Sequence, residues 1–170
     1  MTLRKVATAI TLLLSLSGVV NAEEKVLVEI NPGADIVADT QLEIHASPEA
    51  VWAVLTDVDN WTEWLPEFAS ARLDGPLQAG TSLHWQPQGQ TVVSRLVVVE
   101  PARRLIWNGS GGAVHVWELK PNGTGTLLRN AESIEDWEFP GDHSDQSDFL
   151  ENTLNLWNAR LAERVAAEAR

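Results

Sequence analysis

The apolar and polar positions fall into two periods, and the places where one gives way to the other divide the chain. Thr40-Gln41-Leu42-Glu43-Ile44-His45 alternates and predicts a strand. Ser47-Pro48-Glu49 then reads as a helix start, with a capping hydroxyl, Pro in the first helical position and an acid in the first turn. Val51, Trp52, Leu55 and Val58 share one helical face. Asp57-Val58-Asp59-Asn60 interrupts, and Trp61 to Leu65 predicts a second short helix stopped by Pro66. After Phe68 the alternation returns. Strands are predicted over 69–73, 81–86, 91–100, 104–108, 114–120 and 126–136, divided by short breaks rich in Gly and Pro. Breaks this short suit an antiparallel meander, because a parallel sheet needs helical crossovers.

Residues 142–170 form the longest helical stretch, with Leu150, Leu154, Trp157, Leu161 and Val165 on one face. Asp148 and Glu151 have the spacing of a capping box. The order is one strand, two short helices, about six strands and one long helix. Only that last helix is long enough to cover a sheet face, which predicts an α+β domain with an apolar space beneath the helix.

The chain start departs from this pattern. Met1-Thr2-Leu3-Arg4-Lys5 is positive, Val6 to Val20 is uncharged and mostly apolar, and Val20-Asn21-Ala22 has the small residues of a cleavage site. That is the layout of a signal peptide over 1–22, too short in its apolar run for a membrane span. Export is therefore expected, to a periplasm or the cell exterior, with Glu23 first and no stable membrane insertion afterwards. Residues 23–37 read as a leader or extra edge strand, and 38–170 as one domain.

Composition narrows the chemistry. With 12 Lys+Arg against 24 Asp+Glu, the net charge of −12 argues against nucleic acid or an anionic membrane as the main partner. The absence of Cys excludes disulfides, thiol catalysis and thiolate metal sites. Eight of the eleven aromatic residues are Trp, and there is no Tyr.

Period two sorts the side chains by face. His115, Trp117 and Leu119 are placed inside, opposite Val114, Val116 and Glu118; Leu128, Asn130, Glu132 and Ile134 are placed inside because Arg129 prefers water. Leu83 with Trp85, and Leu105 with Trp107, pair in the same way. These assignments predict a cavity lined by Trp85, Trp107, Trp117, Leu128, Phe149, Leu154 and Trp157, with His115, Asn130 and Glu132 as its few polar groups. The same Trp residues could instead fill the space as a packed core. Glu132 and His115 are the candidate acid/base pair, since a buried carboxyl and an imidazole can exchange a proton near neutrality; a structural hydrogen bond between them is the simpler reading. The acidic run Asp142 to Asp148 lacks the Gly and Glu of a calcium loop and is read as solvated helix-capping acid. Gly109-Ser110-Gly111-Gly112 lacks the Lys-Ser/Thr of a phosphate loop and reads as a flexible turn at the cavity mouth. Neither a metal nor a cofactor is indicated. Trp137 follows the last strand without an assigned role.

The stretch from Ile44 to Pro66, with Ala46-Ser47-Pro48, Val51-Trp52, Leu55-Thr56-Asp57, Trp61 and Trp64-Leu65-Pro66, resembles the opening of START-related helix-grip proteins of the SRPBCC superfamily. The polyketide cyclase/dehydrase-like branch fits best. Gly80-Thr81, Glu100-Pro101, Arg103-Arg104-Leu105, Trp117-Glu118-Leu119 and Gly125-Thr126 extend the resemblance over about residues 40 to 170. It implies an antiparallel sheet of about seven strands wrapped on the C-terminal helix around a hydrophobic cavity. Members include carriers, cyclases and chaperone-activating modules, so the fold does not settle the activity. Three functions remain: binding of a small hydrophobic or amphipathic molecule, lipid or polyketide-like; a cyclase/dehydrase using Glu132 and His115; and a protein-interaction module whose exposed Trp61 and Trp64 dock a partner. The first is favoured and an enzyme is the less favoured outcome; the sequence names no protein partner.

Overall fold

A computed structural model describes residues 26–87, 89–136 and 142–170. The expected signal peptide and Trp137 lie outside the described residues. Strand β1 (Ile36–Ile44) is followed by helix α1 (Pro48–Thr56) and a 3₁₀ helix (Val58–Glu63). Strands β2 (Phe68–Leu73), β3 (Ser82–Pro87), β4 (Val92–Glu100), β5 (Arg104–Asn108), β6 (Val114–Asn122) and β7 (Gly125–Ile134) come next, and helix α2 (His143–Glu168) closes the chain. All neighbours are antiparallel, in the order β1-β7-β6-β5-β4-β3-β2. This is the expected helix-grip: a seven-stranded curved sheet around a long C-terminal helix.

The local signals explain the element starts. Ser47 is extended and accepts from the Ala50 N–H, and Pro48 fills the first helical position. The 3₁₀ turn starts at Val58, so Val58, Asp59 and Asn60, read as an interruption, already belong to the second helix, and Asp57 is the residue before it. Val58 and Trp61 are buried there, and the Trp61 indole donates to the Leu55 carbonyl at 2.8 Å. α2 starts at His143, five residues before Asp148, and Asp142 is its cap, accepting from the Ser144 N–H. Asp148 and Glu151 therefore sit inside the helix and form no capping box.

α2 buries Leu154, Trp157, Asn158, Leu161 and Val165. Beneath it, the inner face presents Leu83, Trp85, Leu96, Leu105, Trp107, Trp117, Leu119 and Leu128. The outer face departs from the expectation. Val114 and Val116, placed in water by their alternation with Glu118, are fully buried. With Ile106 and Ala131 they form a second apolar cluster, covered by Leu27 and Ile30.

The described residues that cover them, 26–35, add no strand to a sheet edge. They cross the outer face, held by side chains that stand in for a backbone ladder. Asn108 accepts from the Leu27 N–H at 2.9 Å and donates to the Leu27 carbonyl at 2.8 Å. Arg104 donates to the Val28 carbonyl, and the Asn31 N–H to Ser133. Arg129 donates to both Asp39 and Glu29. Those hydrogen bonds, with the nearby charges, hold the Arg129 guanidinium above its ordinary range despite partial burial.

Candidate functional site

The aromatic residues under α2 make one connected cluster. Trp61 meets Trp64, Phe68 and Trp107 at centroid distances of 6.4, 6.0 and 6.0 Å. Phe68 meets Trp85 at 5.5 Å and Trp157 at 5.3 Å, and Trp85 meets both Trp107 and Trp157 at 6.2 Å. His115 stacks on Trp107 at 4.4 Å and on Trp117 at 5.5 Å. Trp61 and Phe68 were not expected in this cluster. The 3₁₀ turn delivers Trp61 and the start of β2 delivers Phe68, and the turn's apolar positions are too few to show a periodicity.

The Trp residues divide between filling and lining. Trp61, Trp64 and Trp117 are packed into the core. Their burial leaves Trp61 and Trp64 no exposed patch with which to dock a partner, against the third expectation. Trp85, Trp107 and Trp157 border a cavity of about 730 Å³ between β3–β7 and the first turns of α2. His115 and Glu132 line it too, on the faces their alternation gives them, and Phe149 borders it from α2. Trp117, Leu128, Asn130 and Leu154 do not reach its wall: all four are buried in the packed interior. Ser94, Ile134, Leu150 and Thr153 are lining residues that the sequence reading missed. Ile134 continues the Leu128–Asn130–Glu132 face, and Leu150 continues the helix stripe, so the period carried the signal for both. Phe149 is 57% exposed and stands at the mouth.

The Gly109–Gly112 turn also borders the cavity. Gly111 has a φ of +65°, and a Cβ there would lie 2.9 Å from the Asp136 carbonyl oxygen. Glycine is what lets this turn approach the end of β7, where Asp136 N–H donates to the Gly111 carbonyl.

Two floor indoles are fixed by hydrogen bonds. Trp85 Nε1 donates to Ser94 Oγ at 3.1 Å. Trp157 Nε1 donates to Glu67 Oε1 at 2.9 Å, while the other Glu67 oxygen pairs with Arg160. Trp117 Nε1 is buried with no partner among the described residues.

The polar groups form an ordered chain whose direction can be deduced. Thr40 Oγ1 donates to the Asn130 backbone carbonyl at 2.8 Å, because a carbonyl can only accept. Its one hydrogen is thereby used, so the group facing it at 2.9 Å must be the Asn158 NH₂. Asn158 Oδ1 then accepts from Asn130 Nδ2 at 2.9 Å. Asn130 is left with Oδ1 toward His115 Nε2 at 2.7 Å, so Nε2 carries a hydrogen. His115 Nδ1 lies 3.1 Å from Glu132 Oε2, and a hydrogen bond there needs one more proton, on either atom. The two groups therefore share one proton and are together neutral. Both ring nitrogens of His115 are engaged within the protein. Glu132 Oε1 receives no hydrogen bond from the described residues. Asn158 was not anticipated, although an Asn four residues after Leu154 and three before Leu161 is a polar insertion in an apolar stripe.

Among the described residues no group of His, Asp and Glu is arranged to hold a metal ion. No helix among them is long and apolar enough to cross a membrane.

Comparison with known proteins agrees with this architecture. A START superfamily protein from Mycobacterium smegmatis superposes with a TM-score of 0.63 at 20% identity, covering 77% of this chain and 97% of its own. A protein from Thermus thermophilus gives 0.65 at 19% identity, over 79% and 99%. The di-domain ARO/CYC StfQ of the steffimycin biosynthetic pathway gives 0.64 at 18% identity, over 79% of this chain and 52% of StfQ. At these identities the likeness is one of fold. Comparison with curated protein sequences gives no match. Residues 35–166 match the model of the family described as polyketide cyclase / dehydrase and lipid transport. The chain belongs to that family.

Proposed function

We propose that this protein binds one small hydrophobic or amphipathic molecule, lipid or polyketide-like, in the cavity beneath α2. The observation that carries the reading is the cavity itself. At about 730 Å³ it lies in the range of small-molecule sites, which are mostly apolar with a few placed polar groups. Three indoles supply the apolar floor. Glu132 and the buried Ser94 supply polar contacts. Family membership supports the same class of ligand.

The cyclase/dehydrase reading rests on the Glu132–His115 pair. It has one proton to give or take, and only Glu132 is left with an atom free for a bound molecule. His115 could act only through Glu132, and among the described residues the other acid in the wall, Asp136, is exposed. We therefore rank binding above catalysis. Export, with Glu23 as first residue, is part of the proposal, and its support is the Met1–Ala22 sequence alone.

The test is titration with fatty alcohols, sterols, quinones and aromatic polyketides, read by intrinsic Trp fluorescence, with native mass spectrometry of protein purified from its own host. Saturable binding at one site, or a co-purifying small molecule, is expected. Flat titrations and a bare mass would refute the reading. An intact Met1 in exported protein would refute the signal peptide.

A further inference from the structure

The polar end of the cavity has a defined hydrogen-bonding sense, and it specifies the ligand's head group. The Thr40–Asn158–Asn130 chain forces His115 Nε2 to donate and confines the shared proton to the Nδ1–Oε2 contact. In either placement of that proton Glu132 Oε1 carries no hydrogen. It is the carbonyl oxygen of a carboxylic acid in one case and a carboxylate oxygen in the other. A bound molecule therefore meets a fixed acceptor there.

The surroundings offer an anion no counter-charge: among the described residues no Lys or Arg lines the cavity. From Asn130 to Ala159, the stretch that includes β7's inner end and the first turns of α2, the chain carries eight Asp or Glu and no Lys or Arg. Trp85 and Trp157 spend their N–H groups on Ser94 and Glu67. Ser94, on β4, stands three strands away from Glu132 on β7. At roughly 4.8 Å per strand, its hydroxyl is out of reach of a group seated at Oε1. A carboxylate or phosphate at that end would lose its water without gaining a counter-charge.

We propose that the cavity selects a planar apolar molecule whose polar end is a hydrogen-bond donor without negative charge, an alcohol or a phenol, seated with its O–H on Glu132 Oε1. This rests on the binding reading above and makes it specific: free fatty acids and other anionic amphiphiles are rejected.

Three probes of one shape test it by isothermal titration at about 0.15 M salt, where long-range repulsion by the net charge is largely screened. They are 1-naphthalenemethanol, its methyl ether and 1-naphthoate. The alcohol should bind about tenfold tighter than either of the others, the worth of one good hydrogen bond. Glu132→Leu should abolish the preference. Glu132→Gln should restore it, because the amide can donate to His115 Nδ1 and still turn its carbonyl to the cavity. If the three probes bind alike, or the carboxylate binds best, the head-group assignment is overturned and the cavity reading stands. If none binds, both fall. If Glu132→Leu does not fold, the wild-type ranking decides alone.

Discussion

His115 Nε2 donates to Asn130 Oδ1 at 2.7 Å, and that bond is fixed from the far side of the core by Thr40 and Asn158. A histidine in the wall of a cavity would ordinarily be free to choose its tautomer. Here the choice is made three residues away, where a hydroxyl has no acceptor other than a backbone carbonyl.

The first expectation concerns that network. Asn158→Leu keeps the branched shape of a fully buried side chain but leaves the Asn130 amide N–H without its acceptor and Thr40 Oγ1 without its donor. A loss of about 1–3 kcal/mol is expected in urea unfolding with an unchanged slope. A change under ~0.5 kcal/mol would show that the network is not formed.

The indoles give a paired comparison. Trp85→Phe removes a donor that Ser94 uses, whereas Trp117→Phe removes a buried donor with no partner among the described residues. Both leave a similar void. Trp117→Phe should therefore be the milder change by about 1–3 kcal/mol in parallel unfolding titrations. Equal losses would contradict the assignment of Trp117 Nε1 as unpaired.

The outer face was the least legible part of the fold. Alternation identified the inner positions of β6 and β7 correctly, because Glu118 and Arg129 mark the opposite side. It could not show that Val114, Val116 and Ala131 on that opposite side are buried too, since their cover is a segment about a hundred residues away in sequence. That cover also forms no ladder a strand pattern would reveal; Asn108 pairs with Leu27 through its side chain. The helix stripe on α2 was readable by its spacing. The depth of each residue under it was not, so Leu154 and Trp117 were expected at the cavity and lie in the packing behind it. Val116→Thr tests this face: a hydroxyl in place of a methyl should cost about 1–3 kcal/mol there. A neutral result in thermal unfolding would mean that the face is wet.

The same segment gives a pH dependence. Burial pushes the Glu29 carboxyl up, but the hydrogen bonds from Arg129 and the Ile30 N–H, with the charges of Arg129 and Arg104, outweigh it and leave the carboxyl below its ordinary value. A carboxyl lowered in the folded state stabilises it above the unfolded value, and that stabilisation is lost as pH falls through the folded value. Exchange of the Leu27 amide hydrogen should therefore lose protection, relative to core amides, as the solution is acidified below the ordinary range of Glu. Glu29→Gln should remove that dependence. A dependence that persists unchanged in Glu29→Gln would assign it to another acid.

The central claim is that the indoles line a space rather than fill it, and Thr153→Trp tests it most directly. Thr153 borders the cavity from α2, so a larger side chain there occupies the space without disturbing the sheet. Titration of 1-naphthalenemethanol into the wild type should give saturable one-site binding with a change in Trp fluorescence, and Thr153→Trp, folded by circular dichroism, should bind at least about tenfold more weakly. No binding to the wild type, or equal binding to both, would contradict the account.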